Sequence, residues 1–245
     1  MPSTVISRDG TRIAYDIAGS GPPVILVDGA FCYREFGPMK KLATELARDF
    51  RVVSYDRRAR GTSGDTTPYA IEREIEDIDA LIGAAGGRAH LYGISSGAAL
   101  ALAATAKSLP VGKLALYEPP FMVGPHARVM PADRHAKLGQ MIAEDRRSDA
   151  VKYYMCDIIG MPRFMVSIFQ FLPMWKKLKT VAPSLRYDLE IMGDFAVPAP
   201  LAASIRVPTF GDRRCKNLAD VARCGACHGG GHSRGPPSDT PRANP

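Results

Sequence analysis

The 245-residue sequence predicts an α/β fold: a doubly wound, mainly parallel sheet that carries a helical cap. Short apolar runs alternate with segments of helical period along the first half of the chain, which is the pattern of βαβ units. The segment from Phe121 to about Val197 is rich in Met, Phe and Pro, has helical periodicity and shows no convincing strand. A strand pattern resumes at IRVPTF and ends after Thr209.

These changes of pattern divide the chain. We assign residues 1–120 and 198–212 to the sheet core, residues 121–197 to an inserted helical cap, and residues 213–245 to an irregular tail. From residue 210 onward there are six glycines and four prolines, and no apolar period of either kind. Such a segment is not expected to bury a face, so the last strand and helix of the sheet are expected to be missing.

Each element of the core has its own local signal. TVISRDGTRIAYDIAG alternates around Asp9-Gly10, which predicts a β-hairpin. PPVILVDG, RVVSYDRRARG and KLALYEPP contain the continuous apolar runs of strands covered on both faces. PMKKLATELARDF has helical spacing, and IEREIEDIDALIGAAG places four isoleucines on one stripe of an amphipathic helix. RAHLYGISSGAALALAATAKSLP predicts a strand, a tight turn and a helix of small residues.

The composition favours a soluble protein without a nucleic-acid partner. The net charge is +7, of which the chain from residue 210 onward supplies +3 through six Lys/Arg and three Asp. The other basic residues are scattered, so we interpret them as a solvated surface rather than a nucleic-acid site. No apolar run approaches the roughly 20 residues of a membrane span. The N-terminus lacks the pattern of a secretion signal, so a cytoplasmic location is expected.

The segment Gly93-Ile94-Ser95-Ser96-Gly97 carries the main chemical signal. It is a G-x-S-x-G between a predicted strand and a predicted helix, the setting of a nucleophile elbow. The serine must stand on a sharp, strained turn, so the flanking positions need glycine. The helix N-terminus and the N–H of Ser96 could then stabilise a developing oxyanion. Ser95 is therefore the predicted nucleophile.

The motifs VILVDGA, YDRRARGTSGD, YGISSGAAL and LALYEPP, in this order, resemble those of small, cofactor-free α/β-hydrolases over residues 1–209. The resemblance implies that Ala30 supplies the second oxyanion N–H beside that of Ser96. The chain departs from the family pattern at Asp28, where histidine is usual, and at Ala59, where glycine is common. The resemblance implies that the protein needs no cofactor and no metal.

The resemblance also implies a chain order of Ser, acid and His for the catalytic triad. Asp212 follows the last predicted strand at about the expected place, and Glu118 is the alternative acid. His232 is the predicted base at a plausible distance along the chain, with His228 as the less favoured choice. No predicted strand precedes His232, so an incomplete triad is also open.

The decapeptide CGACHGGGHS in the tail allows other interpretations. Cys224-Gly-Ala-Cys227-His228 matches the motif of covalent haem attachment, but no export signal accompanies it. Zinc could be bound by three cysteines and one histidine, although the second ligand pair is irregularly spaced; the candidate ligands are Cys215, Cys224, Cys227 and either His228 or His232. The abrupt change in composition also suggests an out-of-frame C-terminus, in which case the decapeptide has no chemistry.

The expected function is hydrolysis of an ester or a similar acyl bond of a small apolar molecule. The aromatic and methionine side chains of the cap are expected to line the substrate pocket; they are Phe121, Met122, Met161, Phe164, Phe169 and Trp175. The alternative is a degenerate hydrolase that binds a small molecule without turning it over. An edge strand left open by missing sheet elements would favour a homodimer.

Overall fold

Seven strands form one sheet in the order β1-β2-β4-β3-β5-β6-β7 in a computed structural model that describes residues 2–122 and 129–211. The strands are β1 Ser3–Ile6, β2 Arg12–Ala18, β3 Pro23–Val27, β4 Arg51–Tyr55, β5 Ala89–Ile94, β6 Val111–Tyr117 and β7 Thr209–Gly211. β1 and β2 form the antiparallel hairpin predicted at Asp9-Gly10, and β2 pairs antiparallel with β4. The pairings from β4 through β3, β5 and β6 to β7 are parallel.

Helices cover the sheet and form a separate layer above its carboxyl edge. The helices are α1 Met39–Leu46, α2 Ile71–Ala84, α3 Ser96–Ala106, α4 Arg134–Ala143, α5 Arg147–Tyr153, α6 Arg163–Phe169, α7 Met174–Val181, α8 Leu185–Met192 and α9 Ala199–Ser204. A π-helical turn, Tyr154–Ile159, continues α5, and a short 3₁₀ turn, Ala182–Ser184, precedes α8. The predicted doubly wound α/β fold is confirmed.

The sheet has a hydrophobic core on each face. The isoleucine stripe of α2 is buried, with Ile78 fully inaccessible, and packs with α3 against the apolar side chains of the parallel strands. On the other face Met39 of α1 packs against β3 and β4. Burial on both faces explains why the strand sequences are continuously apolar rather than alternating.

The helices between β6 and β7 have a third core of their own. Leu138, Val151, Trp175 and Leu185 from four of these helices are buried together, and Phe31 from the loop after β3 joins them. Below, the cap means α4 through α8 with the two irregular turns. Because Phe31 comes from the loop that follows β3, the cap core includes a residue of that loop.

One interpretation is wrong, and the predictions for the tail stay predictions. The interpretation of the basic residues as a solvated surface is wrong for Arg58 and Arg60, which are among the largest fully buried side chains. The tail 213–245 and Asp212 lie outside the described residues, and β7 is the last described strand. Among the residues described, none of the helices is both long and apolar enough to cross a bilayer.

Candidate active site

Ser95 stands on the sharp turn between β5 and α3. Its backbone has φ 53° and ψ −126°, a strained conformation for a residue with a side chain. A Cβ on Gly97 would lie 2.2 Å from the carbonyl oxygen of Val27, and one on Gly93 would lie 2.5 Å from that of Gly97. Both contacts are with backbone atoms that cannot move aside, so the turn requires glycine on both sides of the serine.

A cavity of about 190 Å³ opens at this turn. Ser95 and Ala30 lie at its base, and most of the other lining side chains are apolar; they are Pro120, Met122, Tyr154, Ile158, Ile159, Met192 and Phe195. A larger cavity of about 370 Å³, beside α1 and β7, shares none of these lining residues. The cavity at Ser95 therefore brings the predicted nucleophile together with an apolar binding surface.

Two backbone segments approach Ser95 closely. A Cβ on Gly29 would lie 3.1 Å from Cβ of Ser95, so the loop after β3 passes directly beside the serine. Ser96 is the first residue of α3, and its N–H belongs to the helix N-terminus, where backbone donors lack helical partners. Ala30 and Ser96 thus lie on the two segments expected to supply oxyanion donors.

The cap residues predicted to line the pocket are mostly elsewhere. Of the six, Met122 lines the cavity, whereas Phe164 is 68% exposed and Trp175 is buried in the cap core, where its indole N–H donates to Ser148 Oγ. Phe121 packs against the sheet core, and Met161 and Phe169 pack against the cap core. Composition identified an apolar cap, but not which side of each helix faces the serine.

Sequence reasoning also missed residues that do line the cavity. Tyr154, Ile158 and Ile159 come from the π-helical turn, and Met192 and Phe195 come from the end of α8 and just beyond it. The ring of Tyr154 is held edge-on to Phe31 at a centroid distance of 5.3 Å. A π-helical turn shifts the helical register by one residue, which a regular apolar period does not reveal.

Asp28, which replaces the usual histidine, is buried in the loop beside the site. Its Oδ1 has no hydrogen-bond partner among the described residues. Burial raises the pKa of this carboxyl to about 7, although the charges of Arg60 and Arg57 oppose the rise. Asp28 is therefore largely protonated in mildly acidic solution and partly ionised at neutral pH.

The raised pKa of Asp28 predicts a pH-dependent cost to stability. An ordinary aspartate has a pKa near 3.8, so between about pH 4 and pH 7 the folded protein binds the proton more tightly than the unfolded chain. The free energy of unfolding therefore falls as the pH rises through this window, by at most about 4 kcal/mol. Asp28→Asn, which is neutral throughout, should raise the unfolding temperature at pH 8, and this gain should shrink towards pH 4.

Thermal unfolding of both proteins across this pH range measures the effect. Asp149→Asn, at an exposed aspartate of α5, is the control and should give no gain that grows with pH. An equal difference between Asp28→Asn and the wild type at pH 4 and pH 8 would contradict the prediction.

Below the site, a buried set of charges joins the cap to the sheet core. We define the Asp188 cluster as Asp188 of α8 with Arg57, Arg60, Glu74 and Ser96. Asp188 Oδ1 accepts hydrogen bonds from Arg57 Nη1 at 2.8 Å and Ser96 Oγ at 2.7 Å, and Oδ2 accepts one from Arg60 Nη2 at 2.7 Å. Glu74 holds the other edge of Arg57 through two hydrogen bonds of 2.7 and 2.8 Å.

The cluster is fully paired, which is what a buried set of charges requires. Burial by itself would raise the pKa of Asp188, but the charges of Arg60 and Arg57 hold that pKa below its ordinary value. The sequence contained a signal for this site. Asp188 lies on the apolar stripe of α8, beside Leu185, Leu189 and Met192, all of which are buried.

The remaining predicted residues do not converge on Ser95 within the described part of the chain. Glu118 follows β6 at a positive φ of 45°, is exposed and is not among the cavity-lining residues. Two histidines with no predicted role do not line this cavity either: His90 lies on β5 and lines the other cavity, and His135 is exposed on α4. Asp212, His228 and His232 lie outside the described residues, so their catalytic roles stay predictions.

The zinc-binding and haem-binding interpretations of the tail also stay hypotheses. Cys215, Cys224 and Cys227, proposed above as zinc or haem ligands, are outside the described residues. Over residues 2–122 and 129–211, no group of three His, Cys, Asp or Glu side chains is arranged to hold a metal ion.

Comparison with known proteins identifies the family. A family model described as "Alpha/beta hydrolase family" matches residues 17–233, which is most of the chain. The chain belongs to the alpha/beta hydrolase family. The crystal structure of an alpha/beta hydrolase from Sphaerobacter thermophilus DSM 20745 is 46% identical, with a TM-score of 0.85 over 89% of this chain and 88% of the other. The family resemblance predicted from the four sequence motifs is confirmed.

A more distant solved structure shares the fold, and a curated protein matches part of the sequence. The enol-lactonase from Burkholderia xenovorans LB400 is 21% identical, with a TM-score of 0.61 over 89% of this chain and 87% of that one. The uncharacterized hydrolase YraK of Bacillus subtilis (strain 168) is 32% identical over 97 residues, or 38% of this chain. That alignment spans 35% of YraK, about a third of its length.

Proposed function

We propose that this protein hydrolyses an ester or a similar acyl bond of a small, apolar substrate, with Ser95 as the nucleophile. The observation that carries the proposal is the strained backbone of Ser95, at the base of an apolar cavity and directly beside the Gly29–Ala30 loop. Membership of the alpha/beta hydrolase family supports a hydrolytic reaction. The cavity is smaller than the roughly 300–1,000 Å³ of pockets for drug-sized ligands, which favours a short acyl group.

The reaction would proceed in two halves. Ser95 Oγ attacks the carbonyl carbon while its proton passes to His232, and the N–H groups of Ala30 and Ser96 stabilise the oxyanion. The tetrahedral intermediate collapses and expels the alcohol, which takes the proton from His232. Water then attacks the acyl-enzyme by the same route and releases the acid. Asp212 would orient His232 and stabilise its charged form.

The choice of Asp212 and His232 follows from the chain order of Ser, acid and His that the family resemblance implies. The apolar cavity supports the choice of substrate. Its lining side chains offer little to a charged or strongly polar acyl group, since burying such a group without partners is costly.

Turnover of short-chain 4-nitrophenyl esters and reaction with a fluorophosphonate, followed by peptide mass spectrometry, test this function. We expect one adduct, on Ser95. His232→Ala should lower both the labelling rate and kcat by about 10³-fold or more, because the serine then lacks its base. His135→Ala, at an exposed histidine of the cap, is the control and should retain full activity. A folded wild type that neither turns over ester nor reacts with the probe would instead be a binding protein.

A further inference from the structure

Arg60 contacts the backbone of the loop that passes beside Ser95. Its Nη1 donates to the carbonyl oxygen of Gly29 at 2.6 Å and to that of Cys32 at 3.1 Å. The carbonyl of Gly29 belongs to the same peptide group as the N–H of Ala30. The guanidinium therefore binds one end of the peptide whose other end is the proposed oxyanion donor.

A peptide group is a single conjugated unit, so charge at its oxygen affects its N–H. A cation that hydrogen-bonds the oxygen draws electron density from the nitrogen and makes the N–H a stronger donor, and this polarisation is larger in a buried site. Arg60 is almost fully buried, so water does not screen its charge.

We propose that Arg60 is a positioning residue that strengthens the oxyanion hole by polarising and fixing the Gly29–Ala30 peptide. This inference rests on the proposed function, because it needs Ala30 as an oxyanion donor. It goes further by assigning a catalytic consequence to a buried arginine that does not touch the substrate.

The orientation of Arg60 is fixed on every side. Its Nε donates to Ser184 Oγ at 3.1 Å and its Nη2 to Asp188 Oδ2 at 2.7 Å, while Nη1 holds the two loop carbonyls. Asp188 also accepts the hydroxyl of Ser96. The carboxylate of Asp188 therefore holds Ser96 directly and the loop after β3 indirectly, through Arg60. These are the two segments that carry the proposed oxyanion donors.

Arg58 offers a matched control. It is equally buried, two residues away along the chain, and is paired with two carboxylates, Asp77 and Asp9. Its remaining bond is to the carbonyl of Arg73, on α2. Its loss should destabilise the fold in the same way, but within the described residues none of its hydrogen bonds goes to the loop after β3.

The test compares Arg60→Met, Arg60→Lys and Arg58→Met with the wild type in the full chain. Three quantities are measured: kcat and KM for a 4-nitrophenyl ester, the rate of fluorophosphonate labelling, and the affinity for phenylboronic acid, which forms a tetrahedral adduct with serine. Losing a whole oxyanion donor costs about 10²–10³-fold in kcat. A weakened donor should cost less, so for Arg60→Met we expect about a 10-fold to 100-fold loss in kcat, labelling and boronate affinity, with a smaller change in KM.

Arg60→Lys keeps a positive charge near the Gly29 carbonyl and should recover part of this loss. Arg58→Met should keep kcat within about twofold even if it melts earlier. Equal losses in Arg60→Met and Arg58→Met, or no loss in either, would overturn the inference while leaving the proposed function intact. If Arg60→Met does not fold, Arg60→Gln decides, since wild-type kcat and boronate affinity with this neutral side chain would also overturn the inference. A folded wild type that reacts with neither probe removes the proposed function, and this inference with it.

Discussion

Ser95→Ala will abolish fluorophosphonate labelling and lower kcat for ester hydrolysis by about 10⁵-fold. Residual catalysis should come from binding and the oxyanion donors, as it does when the nucleophile of other serine hydrolases is removed. Alanine is smaller than serine, and the backbone N–H of residue 95 can still donate to the carbonyl of Tyr117. The fold should therefore be unaffected. Ester turnover, labelling and thermal unfolding of the same preparation measure the effect.

Ser204→Ala is the control for this change. Ser204 is exposed at the end of α9, where its hydroxyl donates to the carbonyl of Leu201. Its replacement should alter neither labelling nor turnover. Ester turnover by Ser95→Ala at more than a tenth of the wild-type rate would mean that another group is the nucleophile.

Asp188→Ala will cause the largest loss of stability among the single changes considered. It removes the shared acceptor of Arg57, Arg60 and Ser96 and leaves two buried guanidinium groups short of a partner. Breaking a buried ion pair by removing one partner costs about 3–5 kcal/mol. For a chain of this size, that lowers the unfolding temperature by roughly 10 °C or more.

The matched change is Asp149→Ala on α5, at an exposed aspartate that pairs with Arg146 and Lys152. Surface pairs of this kind are worth about 0–1 kcal/mol, so its unfolding temperature should fall by a few degrees at most. Thermal or urea unfolding compares the two variants directly. Similar losses in both would show that the Asp188 cluster contributes no more than a surface pair.

The sequence predicted the fold well wherever the signal was local. Asp9-Gly10 indicated the hairpin, the isoleucine stripe of α2 indicated a buried helix face, and the glycines around Ser95 indicated a turn too tight for a Cβ. In each of these three cases, the residues that form the sequence pattern are also the residues that make the turn or the packing contact. The α/β-hydrolase fold follows from the order of such local elements.

The Asp188 cluster could not be predicted in this way. Arg57 and Asp188 are 131 residues apart, and although Asp188 is a charged residue on the apolar stripe of α8, no local pattern indicates Arg57 as its partner. Asp56 of YDRRARG braces its loop through local contacts, since its carboxylate accepts the N–H groups of Arg34 and Thr62. The carboxylate partners of the arginines beside it come from distant parts of the chain, namely the turn after β1, α2 and the cap.

The sharing of Asp188 between the cap and the sheet core restricts how the protein can be re-engineered. A cap taken from another relative would need a carboxylate at the position of Asp188, because Arg57 and Arg60 of the sheet core both pair with it. Without that carboxylate, Arg60 would have to be replaced by a neutral residue, and Arg57 would keep only Glu74 as its carboxylate partner. Chimeras that exchange the segment between β6 and β7 without regard to this pair should therefore express poorly, even where their hydrophobic surfaces match. Under the proposed function, we therefore expect point changes of the cavity residues Ile158 and Met192 to alter substrate preference more readily than the transplanting of whole helices.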